Sequence, residues 1–431
     1  MLHSINTTIS QRFRENVIRV HEQRLSQMKT ASGSQMPIFY LQVSNFFSGI
    51  SNAVVMIAIP WITLEVTDSP AFAGLVVAVS AIPSLLVAPF GGVLIARFGS
   101  KAVSIFADLL SAISVVAFPI LALTGYLSGF SILLFALLGA IFDPLGYTAR
   151  KTMIQPTAEL GKFDVQKLNG IHEGLLGSSW IIGPALGAWL IALVGSANSF
   201  WVVSVFFLIA ALAIAFLRGS DLQPSSKAAK EDAKSGSDLT LGFRRIWKDR
   251  FIRTLLLAVL VIAAIYLPTE SIILPTYFES INKPLDLGIV ISALAAGSTI
   301  SSFAYGWLVA RISSKAIIRI AFIGASLGTL GMAFLPGFGL MLLFAVILGL
   351  SWGPFSPLLT SKIQSRFPSH EHPMVFSAQT AVFYAAPPIG MLLVGFGVEA
   401  FGLSPTYLFL AITMLFVSAA ALVSKPIRTE S

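Results

Sequence analysis

Four carboxyl side chains lie within long apolar stretches of this 431-residue chain, namely Asp108, Asp143, Glu173 and Glu270. An ionisable group at membrane depth costs at least about 2.5–3.5 kcal/mol, so each one calls for a functional explanation. The same stretches contain almost no Lys or Arg, and no basic partner is evident at the same depth. Because a carboxyl group without water or a counter-charge holds its proton tightly, these residues are candidate proton carriers near neutral pH.

Glu270 is the strongest of these candidates because of the segment around it. The segment runs from Tyr266 to Pro275 and contains a second proline, Pro268. Prolines interrupt the helical hydrogen-bond pattern and free backbone carbonyls beside the carboxyl group, as in the broken helices that form midplane binding sites. The alternative is an interfacial Glu that is hydrogen-bonded to Ser or Thr.

Two of the other carboxyl groups allow two interpretations each. Glu173 follows His172 about one turn into a predicted helix, so it either takes part in proton coupling or is solvated at the membrane interface. Asp108 lies shortly after Lys101, and it either binds protons or pairs with charges at helix ends.

A stripe of uncharged polar residues follows one face of the first apolar segment. At 100° per residue, its three members fall within a sector of roughly 80°, which suggests the wall of a cavity. The alternative is hydrogen bonding between packed helices. A cavity of this kind suits an amphipathic or weakly basic organic molecule better than a sugar phosphate, which needs inward-facing Arg or Lys. The polar and aromatic cavity candidates are Gln42, Asn45, Asn52, Tyr266, Trp352, Gln379 and Tyr384.

The composition indicates that lipid is the solvent for the elements that position these residues. Hydrophobic residues make up 55% of the chain and charged residues 11%, against about 25% charge in soluble domains. The stretches 198–217 and 323–350 contain no charged residue and are long enough to cross a ~30 Å hydrocarbon core. Because backbone groups must be satisfied there internally, the fold class is an all-α membrane protein.

Hydropathy and Gly/Pro punctuation predict about twelve spans in two sets of six. The first set lies near 38–64, 71–96, 102–124, 130–148, 168–194 and 198–217. The second lies near 252–277, 287–310, 316–335, 338–360, 374–398 and 403–424. The predicted domains are a tail at 1–37, a six-helix half at 38–217, a flexible linker at 218–251, a six-helix half at 252–424 and a tail at 425–431.

The basic residues predict the orientation of the chain. With twelve spans, all of the 28 Lys and Arg residues except Lys283 fall on the side that holds both termini and the linker. The positive-inside rule makes that side the cytoplasm of a multi-pass protein of the bacterial inner (plasma) membrane. The net charge of +8 is thereby explained by topology, and no nucleic-acid partner is expected.

A repeated motif relates the two halves. Gly92-Val-Leu-Ile-Ala-Arg97-Phe-Gly-Ser-Lys101 reappears 214 residues later as Gly306-Trp-Leu-Val-Ala-Arg311-Ile-Ser-Ser-Lys315. Each copy follows the second predicted span of its half. Two parallel six-helix pseudo-repeats are therefore the simplest architecture.

These residues resemble the signature of the major facilitator superfamily, Gly-x-x-x-Asp-Arg-x-Gly-x-Lys after the second helix. The runs Leu64-Glu-Val-Thr-Asp-Ser-Pro-Ala71 and Ile182-Gly-Pro-Ala-Leu-Gly187 resemble its prokaryotic multidrug, macrolide and siderophore exporter branch. The resemblance implies the major facilitator fold, a secondary carrier with alternating access, a monomer and export rather than uptake. The signature is matched at Gly92, Arg97, Gly99 and Lys101, and partly at Gly306, Arg311 and Lys315.

One departure from the family pattern concerns the conformational gate. The acidic residue of the signature is replaced by Ala96, and Ala310 stands at the equivalent place in the second half. In the family that carboxylate helps to latch the two halves on the cytoplasmic side. We expect Asp143 to substitute for it by pairing with Arg97; alternatively, the basic residues serve only as topology signals. The predicted gate residues are Gly92, Arg97, Gly99, Lys101, Asp143, Arg311 and Lys315.

Other function classes fit the sequence less well. The histidine pair His370 and His372 lacks the i, i+4 spacing of a helical metal site, so we expect no enzyme, metal or cofactor. No Walker A sequence is present, which argues against direct ATP coupling. A channel would need a filter-like loop or a charge ring. The predicted function is proton-coupled export of an amphipathic compound such as a drug, macrolide or siderophore; the alternatives are a lysophospholipid flippase or an uptake carrier of the same fold.

Overall fold

The computed structural model describes residues 35–217, 239–368 and 371–428, and every regular element within these ranges is helical. Twelve long helices follow one another. In the first half they are α1 Met36–Thr67, α2 Pro70–Phe98, α3 Ser100–Thr124, α4 Gly129–Gly161, α5 Val165–Val194 and α6 Ser196–Phe216. In the second half they are α7 Arg250–Ser280, α8 Pro284–Val309, α9 Ser314–Ala333, α10 Phe338–Arg366, α11 His372–Phe401 and α12 Leu403–Val423.

The predicted spans each coincide with one of these helices. Ten helices are long and apolar enough to cross a membrane, while α2 and α11 contain shorter apolar stretches, Pro70–Pro83 and Pro387–Phe401, among the described residues. The all-helical class is confirmed, and the count of twelve membrane crossings stays a prediction. The predicted tail 1–37 and linker 218–251 lie mostly outside the described residues.

Two segments are more helical than the sequence analysis expected. The predicted fourth span ended at 148, but the helix continues to Thr152 and then, after a turn at Met153, through Ile154–Gly161. The last part of the predicted linker forms a short helix, Leu239–Lys248, that packs on α11. The longer α4 matters for the site because it carries Arg150 inside the bundle rather than in a loop.

The connections between helices repeat in the two halves. The turn from α5 to α6 is made by Gly195 with φ +87°, and the turn from α11 to α12 is made by Gly402 with the same φ. Glycine adopts this left-handed conformation at no steric cost. Each half thus makes the same tight turn between its fifth and sixth helices, as expected of a structural repeat.

Four helices form the seam between the halves: α2 packs on α11, and α5 packs on α8. We call the end of the bundle where α1 begins and α12 ends the terminal face, and the other end the opposite face. Near the opposite face the seam is tight, because a Cβ atom on Gly288 would lie 2.3 Å from the Cβ of Ala188. Near the terminal face, Gly174 and Gly306 have open space where a side chain would stand. Among the described residues, the seam is therefore packed at the opposite face and leaves open space beside α5 and α8 at the terminal face.

Within the first half, α1 and α5 are held together by glycines that permit close backbone approach. A Cβ atom on Gly183 would lie 2.3 Å from the Cβ of Ala53, and one on Gly187 would lie 3.2 Å from a methyl group of Val54. No side chain fits at Gly183 without moving a helix. The α1–α5 pair therefore behaves as one rigid unit.

This packing predicts the effect of adding a side chain to α5. Gly183→Val should destabilise the protein by about 1–3 kcal/mol, because overpacking forces α1 away from α5. The matched control is Gly174→Val on the same helix, where the new side chain meets open space. Thermal unfolding in detergent should show a clearly lower midpoint for the first variant alone, and equal midpoints would contradict the packing argument.

Candidate functional site

A cavity of about 710 Å³ lies between the halves, mostly against the second one. Its walls are aromatic, aliphatic and uncharged polar, and no charged residue lines it among the residues the structure describes. Of the predicted cavity residues, Trp352 and Gln379 line it, and the ring of Tyr266 stacks behind Trp352 at 4.8 Å. The lining residues are Ala81, Leu267, Ser298, Thr299, Ser302, Phe303, Trp352, Gly353, Phe355, Ser356, Gln379, Phe383, Pro387 and Pro388.

The polar wall of this cavity offers hydrogen bonds without charge. Ser298, Thr299 and Ser302 follow one another on α8, and Gln379 faces them from α11. The Oε1 atom of Gln379 is buried and has no hydrogen-bond partner among the described residues. An unsatisfied buried acceptor is costly, so this oxygen is suited to receive a donor from a bound molecule.

Glu270 lies where the regular hydrogen-bond pattern of α7 is interrupted. The predicted interruption is confirmed, but it takes the form of a π-helical turn, Thr269–Ile273, between the two prolines. Such turns occur frequently at functional sites. Tyr266 precedes Glu270 by one turn, and no Lys or Arg among the described residues forms an ion pair with this carboxyl group.

In the first half, a buried ion pair joins α3 to α4. The Nη1 atom of Arg150 donates to both carboxylate oxygens of Asp108, at 3.0 and 2.9 Å, and its Nη2 atom donates to the hydroxyl of Ser48 on α1 at 2.8 Å. Asp108 is 2% exposed and Arg150 4%. The expectation that Asp108 has no basic partner at its depth was wrong. The alternative, that Asp108 pairs with a charge at a helix end, describes the contact, because Arg150 stands in the last turn of Gly129–Thr152 and not in the loop that hydropathy predicts there.

Asp143 lies about two helical turns before Arg150 on the same face of α4. The hydroxyl of Ser111 donates to its carboxylate at 3.2 Å, and the side chain of Asn52 approaches the same group. The predicted pair between Asp143 and Arg97 was wrong: the guanidinium of Arg97 lies over the ring of Phe98 instead. Asp143 thus belongs to the buried polar cluster of α1, α3 and α4.

The remaining predicted coupling and cavity residues lie elsewhere. Glu173 forms an ion pair with Lys151 at 2.8 Å, with both side chains almost half exposed, as expected of the solvated alternative. Gln42 and Asn45 are buried, and Asn45 donates to the backbone carbonyl of His172 on α5, as expected of packing between helices. The side chain of Tyr384 lies outside the described residues, as do the surroundings of Gly92.

The basic gate residues contact their own halves in this structure. The Nζ atom of Lys101 donates to the carbonyls of Ala215 and Leu217, at the end of α6, at 2.9 and 2.8 Å. Its counterpart Lys315 donates to the carbonyl of Arg428, after α12. The guanidinium of Arg311, in the turn that follows α8, lies 4.0 Å from the ring centre of Trp307 near the end of α8. None of these contacts crosses the seam, which fits a terminal face that is open.

At the opposite face, a contact that the sequence analysis missed does cross the seam. The carboxylate of Glu399 on α11 accepts a hydrogen bond from the Ser69 hydroxyl at 2.5 Å and from the Ala71 backbone N–H at 3.1 Å. Ser69 is the N-cap of α2. A carboxylate at a helix N-terminus is stabilised by the exposed N–H groups and by the helix dipole. Glu399 therefore fastens the two halves where they meet.

Comparison with known proteins places this architecture among known families. A family model described as Major Facilitator Superfamily matches residues 41–386 and, in a second match, 271–430. The multidrug efflux pump Tap of Mycolicibacterium fortuitum is 31% identical over 388 residues, which is 89% of this chain and 95% of that protein. Macrolide efflux protein A of Streptococcus pyogenes is 22% identical over 391 residues, covering 88% and 94% of the two chains.

Solved structures share the fold at much lower identity. The nucleoside transporter NupG superposes with a TM-score of 0.74 at 13% identity, over 92% of this chain and 100% of that one. A D-xylose-proton symporter superposes with a TM-score of 0.69 at 14% identity, over 90% and 97% of the two chains. At these identities the likeness concerns the fold alone.

The Glu399 contact predicts how firmly the opposite face stays closed. Glu399→Gln should weaken the cap on α2 by about 0.3–1 kcal/mol, so the closed seam should open up to about fivefold more often. The chain has no cysteine, and a single Cys in place of Ser292, which is similar in size and contacts the backbone N–H of Ala185 across the seam, reports opening through its rate of maleimide labelling. Glu279→Gln on the same face is the matched charge control; equal labelling rates in the two variants would argue against the latch.

Proposed function

Since the chain belongs to the Major Facilitator Superfamily, we propose that it exports amphipathic organic molecules from the cell, driven by protons that move inward. The observation that carries this proposal is the 710 Å³ cavity with aromatic and uncharged polar walls. Its volume lies within the range of about 300–1,000 Å³ typical of sites for drug-sized molecules. The efflux functions in the names of the two relatives support export.

The lining of the cavity restricts the chemistry of the substrate. Trp352, Phe355 and Phe383 offer ring faces to an apolar or aromatic body, and such faces also attract a weakly basic group. The oxygen of Gln379 accepts one hydrogen bond. A sugar phosphate would leave its charges unpaired against these walls, so a phosphorylated metabolite is the poorer candidate. A lysophospholipid shares the amphipathic character and is the alternative substrate.

Alternating access follows from the two ends of the seam. In the present state Glu399 fastens the opposite face, while Lys101 and Lys315 hold carbonyls of their own halves. Opening of the opposite face must break the Glu399 contact. Closure of the terminal face brings the two copies of the repeated motif toward the seam. Their basic side chains can then leave the carbonyls of their own half and bind groups of the other half. The free energy that is given up when one face opens is thereby offset by the interactions that form as the other face closes.

The orientation in the membrane follows from the basic residues. Among the described residues, nearly all Lys and Arg side chains belong to the terminal face, so we place this face in the cytoplasm of a bacterial plasma membrane with both termini inside. The cavity then opens toward the cytoplasm, where an exported compound is bound. The carrier works as a monomer, because each chain contains both halves and the complete cavity between them.

Protons are the coupling ion in this proposal because carboxyl groups, and no metal-binding cluster among the described residues, lie within the helices. Two carboxyl groups are placed for the task. Glu270 on α7 is near the cavity through Tyr266, which stacks on Trp352. Asp143 on α4 belongs to the cluster in the first half. Neither carboxyl group forms an ion pair with a Lys or Arg side chain among the described residues.

The cavity predicts that Trp352 contributes strongly to substrate binding. Trp352→Ala removes the central ring face, and loss of one well-packed aromatic contact costs about 1–2 kcal/mol, or roughly a tenfold rise in the half-saturating concentration. The measurement is energised uptake of the fluorescent cation ethidium into inside-out vesicles.

The matched control for that experiment is Trp201→Ala. Trp201 is 41% exposed on α6 and does not line the cavity, so its removal should change the half-saturating concentration less than twofold. Equal effects of the two variants would place the binding site elsewhere. If wild-type vesicles do not accumulate ethidium, macrolides or siderophores beyond protein-free vesicles, the exporter proposal itself is wrong.

A further inference from the structure

We propose that Asp143 is the side chain that binds and releases the coupling proton, with the Arg150–Asp108 pair as its fixed neighbour. This inference rests on the proposed proton-coupled export and assigns one residue to it. It replaces the gate role predicted for Asp143 from the sequence. It also moves the coupling site from the second half, where Glu270 lies, to the first.

Two polar contacts join α3 to α4, one above the other. We call them the lower and upper rungs of a polar ladder. The lower rung is the Asp108–Arg150 ion pair, and the upper rung is the Ser111–Asp143 hydrogen bond. Helix α1 touches both rungs, because its residues Ser48 and Asn52 stand one turn apart. Ser48 contacts the lower rung, and Asn52 approaches the upper one.

A glycine makes room for the cation of the lower rung. A Cβ atom on Gly146, one turn before Arg150, would lie 3.3 and 3.4 Å from the two terminal nitrogens of the guanidinium and 3.2 Å from the Cβ of Ala107. The arginine side chain therefore runs back along α4 toward Asp143, as helical side chains do. The guanidinium stops at Asp108, which it contacts through Nη1, while Nη2 is directed to Ser48.

The balance of charges identifies the group that must take up a proton. Two carboxyl groups, Asp108 and Asp143, share this site with one guanidinium. Asp108 has the guanidinium at 2.9 Å and the Ser48 hydroxyl at 3.0 Å, whereas Asp143 has only the neutral donors Ser111 and Asn52. With both carboxylates ionised the site has a net negative charge. Protonation of Asp143 makes it neutral and leaves the ion pair intact.

Exposure points to the same carboxyl group. Asp108 and Arg150 are almost completely buried, whereas residue Asp143 keeps some exposed surface, so it is the less enclosed of the two carboxyl residues. Helix α5 contributes His172, which is near Arg150, and Glu173 beside Lys151. Helix α2 contributes Arg97, which is exposed and lies over Phe98. These side chains make their contacts away from Asp143, so its charge depends on the neighbouring Asp108–Arg150 pair and on the neutral donors Ser111 and Asn52.

A change of charge at Asp143 reaches the seam through α1. The upper rung meets α1 at Asn52, next to Ala53, which packs against Gly183 of α5. Helix α5 in turn forms the seam with α8. Protonation at the opposite-face water and release at the terminal-face water would therefore bias the two arrangements of the seam. The step is a simple exchange: the carboxylate oxygen gains one proton from water on one side and returns it on the other.

The test compares Asp143→Asn with Asp143→Glu and Glu270→Gln in proteoliposomes, with ethidium as the transported molecule. Two processes are measured: accumulation driven by a pH gradient, with the accompanying proton movement, and exchange of ethidium across the membrane without a gradient. Asn resembles the protonated carboxyl group. We therefore expect Asp143→Asn to lose at least tenfold in gradient-driven accumulation and to keep exchange within about twofold, while Asp143→Glu keeps both.

Other outcomes separate this inference from the proposed function. Gradient-driven accumulation that survives in Asp143→Asn overturns the assignment, as does its loss in Glu270→Gln alone, which would assign the proton to Glu270. Net movement of ethidium by the wild type down its own concentration gradient, with no accompanying proton movement, would instead overturn proton coupling and leave transport standing. If Asp143→Asn does not fold, Ser111→Ala serves: loss of a donor to the ionised carboxylate should move the pH profile of accumulation to higher pH, and an unchanged profile counts against Asp143.

Discussion

Hydrocarbon supplies no hydrogen bonds, and this constraint determines most of what the structure does with its polar groups. Backbone groups are satisfied within helices. The carbonyls beyond the ends of α6 and α12 are satisfied by Lys101 and Lys315. A buried Arg150 is tolerated because it donates to Asp108 and Ser48 at once. Breaking such a pair by removing one partner typically costs about 3–5 kcal/mol, so the lower rung of the ladder fixes how α1, α3 and α4 are arranged.

The charged cluster and the uncharged cavity lie in different halves of the bundle. The Asp108–Arg150 pair and Asp143 lie in the first half, in a cluster whose charges nearly cancel. The cavity lies mostly in the second half and is lined by rings, hydroxyls and an amide among the described residues. An uncharged wall accepts varied amphipathic molecules, because no fixed charge demands a specific partner. In the proposed mechanism, binding and proton movement are coupled through the helices of the seam rather than through direct contact.

The seam itself depends on small residues and on one charge. Glycines on α2, α8 and α11 let backbones approach closely at the opposite face, which is how helices associate where no hydrophobic effect drives them together. Glu399 adds a contact that is directional and can be broken. At the terminal face, Gly174 and Gly306 have open space around them. One seam thus combines a rigid end and a free end, as a rocking motion of two halves requires.

The sequence by itself determined the elements, because the length and apolarity of a span are local properties. It predicted each long helix, the repeat, the superfamily and two lining residues of the cavity, Trp352 and Gln379. It could not decide which side chains meet. Hydropathy falls at the end of a span and so predicts a loop at Arg150. The helix continues instead, and the Arg150 side chain reaches back into the bundle. The partners of Asp108, Asp143 and Asn45 come from other helices, and the cap on α2 comes from Glu399, 330 residues away. Only the tertiary structure decided these contacts, since they depend on how helices are rotated and packed rather than on the order of residues along each one.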